Sequence, residues 1–185
     1  AAAGGIFWWL APWCFGRPDR ELERPAPAVR FYDRDGRLVY AAPGYDYEWR
    51  FPVPLAAIPL QLIDVVLAVE DQRFYRHGAI DYLAMMRAFR QNLTHGRVIS
   101  GSSTISMQLA RMGDYHLRSY WNKFKQAMQA RGIERRRTKD EILELYLNHL
   151  PYGGKIVGIE AAAQYYFGVP VGALNPAEIA MLAGI

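Results

Sequence analysis

Cys14 is the only cysteine, so no disulfide can form within the chain. That scarcity fits a cytosolic or a bacterial periplasmic setting equally, and Cys14, in a Trp-rich segment, reads as a small apolar filler. The 4 histidines show no i,i+4 pairing and lie far from the cysteine, so no zinc site is expected. Nowhere does the chain hold the roughly 20 consecutive apolar residues of a membrane-spanning helix. No repeat with a period of about 20 to 50 residues occurs. The glycines fit neither the P-loop nor the dinucleotide fingerprint, and no Ser-x-x-Lys nucleophile motif is found. Charge of one sign is also in short supply: 22 Lys and Arg face 18 Asp and Glu, for a net +4. So mild an excess suits an anionic partner, but no nucleic-acid-binding signature accompanies it and nucleic acid is not expected.

What the chain has is apolar and aromatic residues, 51% and 14% of the total, which excludes a disordered tail. Its 185 residues suffice for one domain with a sizeable core, plus a small appendage. The start, "GGIFWWLAPWCFGRPDR", holds about ten apolar residues before a Pro and a basic step, too few to cross a bilayer alone. Residues 1–16 read as the outer end of a truncated membrane anchor with interfacial Trp residues, against the rival of a loose apolar N-terminus. Residues 17–49 read as a Pro-rich, charged linker followed by a β-hairpin, in which Val29 and Phe31 alternate toward Leu38 and Tyr40 around Asp35-Gly36.

From residue 50 to 185 the pattern is helical. A helix is expected from about 60 to 73. A second places Tyr82, Met85, Met86, Phe89 and Leu93 on one face, either as core or as a membrane-touching stripe. A short helix restarts at Ser103 and a long basic one covers about 119 to 137, where Arg135, Arg136 and Arg137 read as a solvated end. Two starts carry capping signals: Thr138 with Glu141, and Asn175-Pro176 with Glu178.

Three stretches can support chemistry. In "LAVEDQRFYRHGAID", Ile63, Leu67, Glu70 and Phe74 share one helix face, which puts a carboxylate on an apolar stripe. Desolvation there favours acid–base work, while the bland alternative is a salt-bridged helix end. In "SGSSTISMQLAR" a hydroxyl-rich turn feeds a helix. Ser103, Thr104 and Gln108 suit sugars and phosphate oxygens, although an ordinary N-cap explains the turn as well. Arg111, Arg118 and Lys123 flank that turn as positive groups able to clamp a pyrophosphate.

Five ordered motifs now resemble one family, the peptidoglycan glycosyltransferases that form the polymerising modules of class A penicillin-binding proteins. They are "EDQRFYRHG" (70–78), "GSSTISMQLAR" (101–111), "RSYWNKFKQAMQARGIE" (118–134), "KDEILELYLNHLPYGG" (139–154) and "GIEAAAQYYFG" (158–168). Met107, "VISG" and the "RDGRLVYAAPGYDYEWRFPV" preamble look most like the penicillin-binding protein 1C branch. The resemblance implies a mainly α, lysozyme-like fold with a small N-terminal β-hairpin appendage. It also implies lipid II and the growing glycan chain as substrates, at the periplasmic face of the bacterial inner membrane. It further implies a C-terminal transpeptidase domain in the full-length protein; the stop at "AMLAGI", just inside a helix, reads as truncation, so the missing second domain says nothing about the full-length protein. By the same resemblance Glu70 is the general base. Asp71 and His77 order its loop, Ser103, Thr104 and Gln108 line the sugar and phosphate site, and Arg111, Arg118 and Lys123 hold the donor's pyrophosphate. No metal site is encoded and no cofactor required, though a divalent cation (Mg or Mn) assisting the leaving group is compatible with the chemistry.

The second and third motifs depart from the family. Gln126 stands where a second glutamate is usual and Asn122 where an Arg is; Met107 and Met112 replace a customary Gln and Asn. Gln126 can hydrogen-bond but cannot ionise, which weighs against a two-carboxylate mechanism. Two other readings share these residues: a lytic, lysozyme-like enzyme that cleaves glycan, and a non-catalytic membrane-tethered scaffold binding lipid-linked precursors.

Overall fold

The computed structural model describes residues 15–23, 28–35, 38–95, 103–113 and 120–184. Among these the α-helices are α1 (Pro18–Leu22), α2 (Leu60–Glu70), α3 (Tyr82–His95), α4 (Ile105–Met112), α5 (Tyr120–Glu134), α6 (Lys139–His149), α7 (Ile159–Phe167) and α8 (Pro176–Ala183). Strands are short: β1 (Val29–Tyr32), β2 (Leu38–Ala42), β3 (Trp49–Arg50) and β4 (Ile156–Val157). The expected mainly α fold with a small hairpin is what forms. β1 and β2 pair antiparallel with Phe31 opposite Tyr40, and the two rings lie 5.9 Å apart. No helix among the described residues is long and apolar enough to cross a membrane.

The chain divides into two compact units, each built from two separated stretches. The first comprises residues up to Asp19 together with Glu70–Ile142. Its core joins Ala79, Met107 and Ala130, with Ala127 packed against them, and also buries Phe74, Ile105, Leu109, Met128 and Ile133. The expected helix to residue 73 ends at Glu70 and gives way to a 3-10 turn, Phe74–Arg76. The helix expected from Ser103 starts at Ile105 instead, because Thr104 is its N-cap and accepts the Met107 N–H at 3.2 Å. Beneath these elements Glu134 receives Ser106 Oγ at 2.5 Å and Lys139 Nζ at 2.7 Å, while that ammonium lies 4.3 Å from the Phe74 ring centre.

The second unit comprises Arg20–Val69 and Leu143–Ile185. Leu62, Leu143, Tyr146, Leu147 and Ile159 are fully buried here. Each such Leu or Ile contributes about 1.5–3 kcal/mol relative to exposure. The Asn148 amide closes the unit by pairing with both backbone groups of Val53, accepting from N–H at 2.9 Å and donating to C=O at 2.8 Å. Gly158, at φ 88°, passes so close to residue 148 that a Cβ would lie 2.7 Å from its carbonyl oxygen, so only glycine fits. Both expected capping boxes form: Thr138 with Glu141 begins α6, and Asn175 with Glu178 begins α8.

Two expectations change. Within the stretch read as a linker, residues 18–22 form α1 and Asp19 is completely buried. Arg136 and Arg137, read as a solvated end, both pair with that carboxylate. An aspartate with no exposure must be charge-compensated, and the turn after α5 supplies the compensation.

Candidate active site

Glu70 is the last residue of α2, at the helix's negative pole. Along the expected stripe Ile63 and Phe74 are buried and Leu67 half-buried, but Glu70 is exposed. The apolar stripe therefore runs out at the helix end, and the carboxylate emerges on the rim of a cleft instead of sitting in the core. That corrects the expected partly desolvated setting. The cleft, about 110 Å³, is lined by Glu70, Asp71, Arg73, Asp81, Arg87 and Ser103, among others. Gln108 reaches it from α4, its amide donating to Glu70 Oε2 at 2.7 Å.

Asp71 follows immediately but turns inward. Its Oδ1 meets His77 Nε2 at 2.7 Å, and its Oδ2 accepts the Ile105 N–H at 3.2 Å. One carboxylate thus joins the loop after α2 to the N-terminus of α4. Thr104 reinforces the join by donating to the Ala79 carbonyl at 2.7 Å. Asp81 completes the floor: it accepts the Ala84 N–H at 2.8 Å, opening α3, and pairs with Arg73. Burial alone would raise the Asp81 pKa, but the Ala84 N–H, the Arg73 guanidinium and His77 outweigh it and hold the carboxyl below its ordinary range.

Asp71, His77 and Asp81 place three donor atoms within 4.8 Å of one another. All three are already engaged, with one another, with the Ile105 and Ala84 N–H groups, or with Arg73. A cation there would face the Arg73 guanidinium, so these residues do not fit a metal.

The fold thus brings Glu70, Asp71, His77, Ser103, Thr104 and Gln108 to one place. Arg111 lies exposed in the last turn of α4, and Lys123 exposed in the first turn of α5, which also carries half-buried Gln126. None of the described contacts joins these three to the cleft. Arg118 lies outside the described residues. Sequence reasoning missed Arg73, Asp81, Ser106 and Glu134. Only Asp81 left a signal, as an aspartate just ahead of a helical pattern. The stripe of α3 is exposed at Tyr82, Met85 and Met86, which removes the core reading for those three.

Residues 35–185 match the family model described as Transglycosylase. The chain belongs to the transglycosylase family. It is 41% identical over 160 residues to penicillin-binding protein 1A of Pseudomonas aeruginosa, covering 85% of this chain and 19% of that protein. To penicillin-binding protein 1C of Escherichia coli it is 38% identical over 162 residues, covering 88% and 21%. A putative transglycosylase of Cupriavidus necator is 43% identical over 136 residues, 72% of this chain and 58% of that one. The chain thus spans about a fifth of the first two relatives, and their identities of 41% and 38% do not separate the 1A from the 1C branch.

Proposed function

We propose that this chain is a peptidoglycan glycosyltransferase module that polymerises lipid II into glycan strands, with Glu70 as its single general base. One observation carries the reading. Of the carboxylates lining the cleft, Asp71 and Asp81 are buried and held by cations or N–H groups, whereas Glu70 is exposed and turned toward Gln108. Glu70 takes the proton from the acceptor sugar's 4-hydroxyl. That oxygen attacks the anomeric carbon of the donor from the face opposite the phosphate, and undecaprenyl pyrophosphate leaves with inversion. Ser103 and Gln108 orient sugar and phosphate oxygens above the Thr104 cap, whose hydroxyl is committed to Met107 and Ala79; Arg111, Arg118 and Lys123 take up the charge of the leaving group.

A cleaving enzyme would ordinarily need a second free carboxylate across the scissile bond. Asp71 and Asp81 are committed elsewhere, which favours transfer over hydrolysis. A binding-only scaffold keeps one argument, the neutral Gln126. The exposed Tyr82, Met85 and Met86 suit contact with a bilayer surface that presents the lipid-linked substrate, at the periplasmic side of the inner membrane. A transpeptidase domain elsewhere in the full-length protein follows from the same reading.

The deciding experiment incubates the full-length, membrane-anchored protein with lipid II and scores glycan chain length. Glu70→Gln keeps the shape and removes proton acceptance, so turnover should fall by about 10² to 10⁴ while the variant stays folded and binds substrate. Near-normal polymerisation by the variant would remove the central claim.

A further inference from the structure

The unit that carries Glu70 includes a piece of chain far from it in sequence, residues 15–19. Phe15 sets its ring edge-on to Trp121 and Phe124, at 6.0 and 5.9 Å, and those two rings stack on each other at 5.6 Å. Gln129, two turns further along α5, donates to the Phe15 carbonyl at 2.9 Å. Beyond the end of that helix Asp19, wholly buried, receives Arg136 at 2.9 Å and Arg137 at 3.5 Å, with Arg17 at 3.4 Å. The strap therefore runs along α5 from its first turns to the turn that follows it.

It touches α4 as well. Gly113, the residue after α4, lies against Pro18 so closely that a Cβ there would sit 2.2 Å from the Pro18 carbonyl oxygen. That gap is below any tolerable contact, so α4 must end on a glycine for the strap to pass. Arg111 is two residues before this contact, and Lys123 lies between the two α5 residues that hold the Phe15 ring.

We propose that residues 15–19 form a positioning latch, with Asp19 as its key residue, that fixes the end of α4 relative to α5 so that Arg111 and Lys123 grip one pyrophosphate together. The inference rests on the glycosyltransferase reading for the identity of the ligand. Two cations on two helices share a single pyrophosphate only when the helices keep their spacing, and bidentate recognition tolerates little slack. A buried carboxylate surrounded by three guanidinium groups is costly to build and gains little stability over an apolar filling, so its specific worth lies in the register it enforces. Asp19 touches no substrate. It acts through the helices.

The test uses the full-length, membrane-anchored protein and two variants that strike the latch from opposite sides. Asp19→Asn removes the charge. Gly113→Ala introduces the methyl group that collides with Pro18, at an ordinary negative φ and without altering any charged residue. Affinity for undecaprenyl pyrophosphate in detergent micelles is read first, because it needs no turnover. Each variant should bind it about tenfold more weakly, while an uncharged glycan fragment binds as to wild type. With lipid II, KM should rise about tenfold and kcat at saturation stay within about twofold. Asp19→Glu, which keeps the charge, should recover most of the donor affinity. Unchanged pyrophosphate affinity in a folded Gly113→Ala variant overturns the latch, as does equal loss of both ligands. If Asp19→Asn fails to fold, the decision passes to Gly113→Ala by the same two criteria. A wild type that binds pyrophosphate but makes no polymer refutes the glycosyltransferase reading and leaves the latch standing.

Discussion

Gln108 and Glu70 are 38 positions apart, yet the amide of one donates to the carboxylate of the other at 2.7 Å. The contact joins the first two motifs and gives the carboxylate a neutral hydrogen-bond donor at the rim of the cleft. An amide in this place aims the base without neutralising it, whereas a lysine would pair with the charge and weaken its pull on a hydroxyl proton.

Gln108→Leu should therefore lower kcat more than it raises KM. Hydrogen bonds to charged groups are worth about 1.5–3 kcal/mol, so the expected fall in turnover is roughly 10- to 100-fold. Steady-state kinetics with lipid II measure it. A change confined to KM would mean that Gln108 binds sugar and does not orient Glu70.

Gln126 tests whether one carboxylate is enough. Gln126→Ala should lower turnover by removing a hydrogen-bonding group near the leaving phosphate. Gln126→Glu should be tolerated or raise activity, and should respond more strongly to added magnesium or manganese, since it adds a ligand the wild type lacks. An inert wild type whose Gln126→Glu variant makes polymer would refute the single-base mechanism.

Stability should fall in two steps on acidification. Burial, ahead of any other influence, holds the His149 pKa below its ordinary 6.5, with Arg50 adding to it against the Leu145 and Leu22 carbonyls. The unfolded chain then binds the proton that the folded one refuses, so stability is lost as pH drops below about 6.5. Asp19 and Asp81 behave differently. Burial raises each, but Arg136 and Arg17 at Asp19, and the Ala84 N–H and Arg73 at Asp81, prevail and depress both below 3.8. Their stabilisation is complete above that value and is lost as pH falls further through the folded pKa. Urea denaturation at a series of pH values checks both steps, and His149→Gln should abolish the first alone. A midpoint that stays flat between pH 7 and 5 contradicts the assignment.

Local grammar was legible in the sequence. Asn175-Pro176 with Glu178 and Thr138 with Glu141 specify their helix starts within four residues, so no tertiary knowledge is needed. The alternation of Val29 and Phe31 toward Leu38 and Tyr40 likewise marked the hairpin, in which Phe31 lies opposite Tyr40. The contact of Glu70 with the second motif was approachable only through the family pattern. The exposure of Glu70 was not legible, because a 3.6-residue period says which face a residue occupies but not that the helix stops beneath it. The buried pairing of Asp19 with Arg136 spans 117 positions and leaves no periodic trace. A lone aspartate in a Pro-rich, charged stretch resembles a solvated linker until its partners are seen. Ser106 with Glu134 is hidden for the same reason.

The clasp of Asn148 on Val53 has a bearing on how the chain assembles. It closes a loop of 95 residues, and Glu144 accepting from the Leu55 N–H closes another of 89. Until the second of these partners exists, the stretch from Arg20 to Val69 has little but its own hairpin to pair with. Closing so wide a ring costs entropy before any contact repays it, and such topologies fold slowly. The packing of Val53 and Leu55 therefore remains unfinished until Glu144 and Asn148 have emerged from the ribosome.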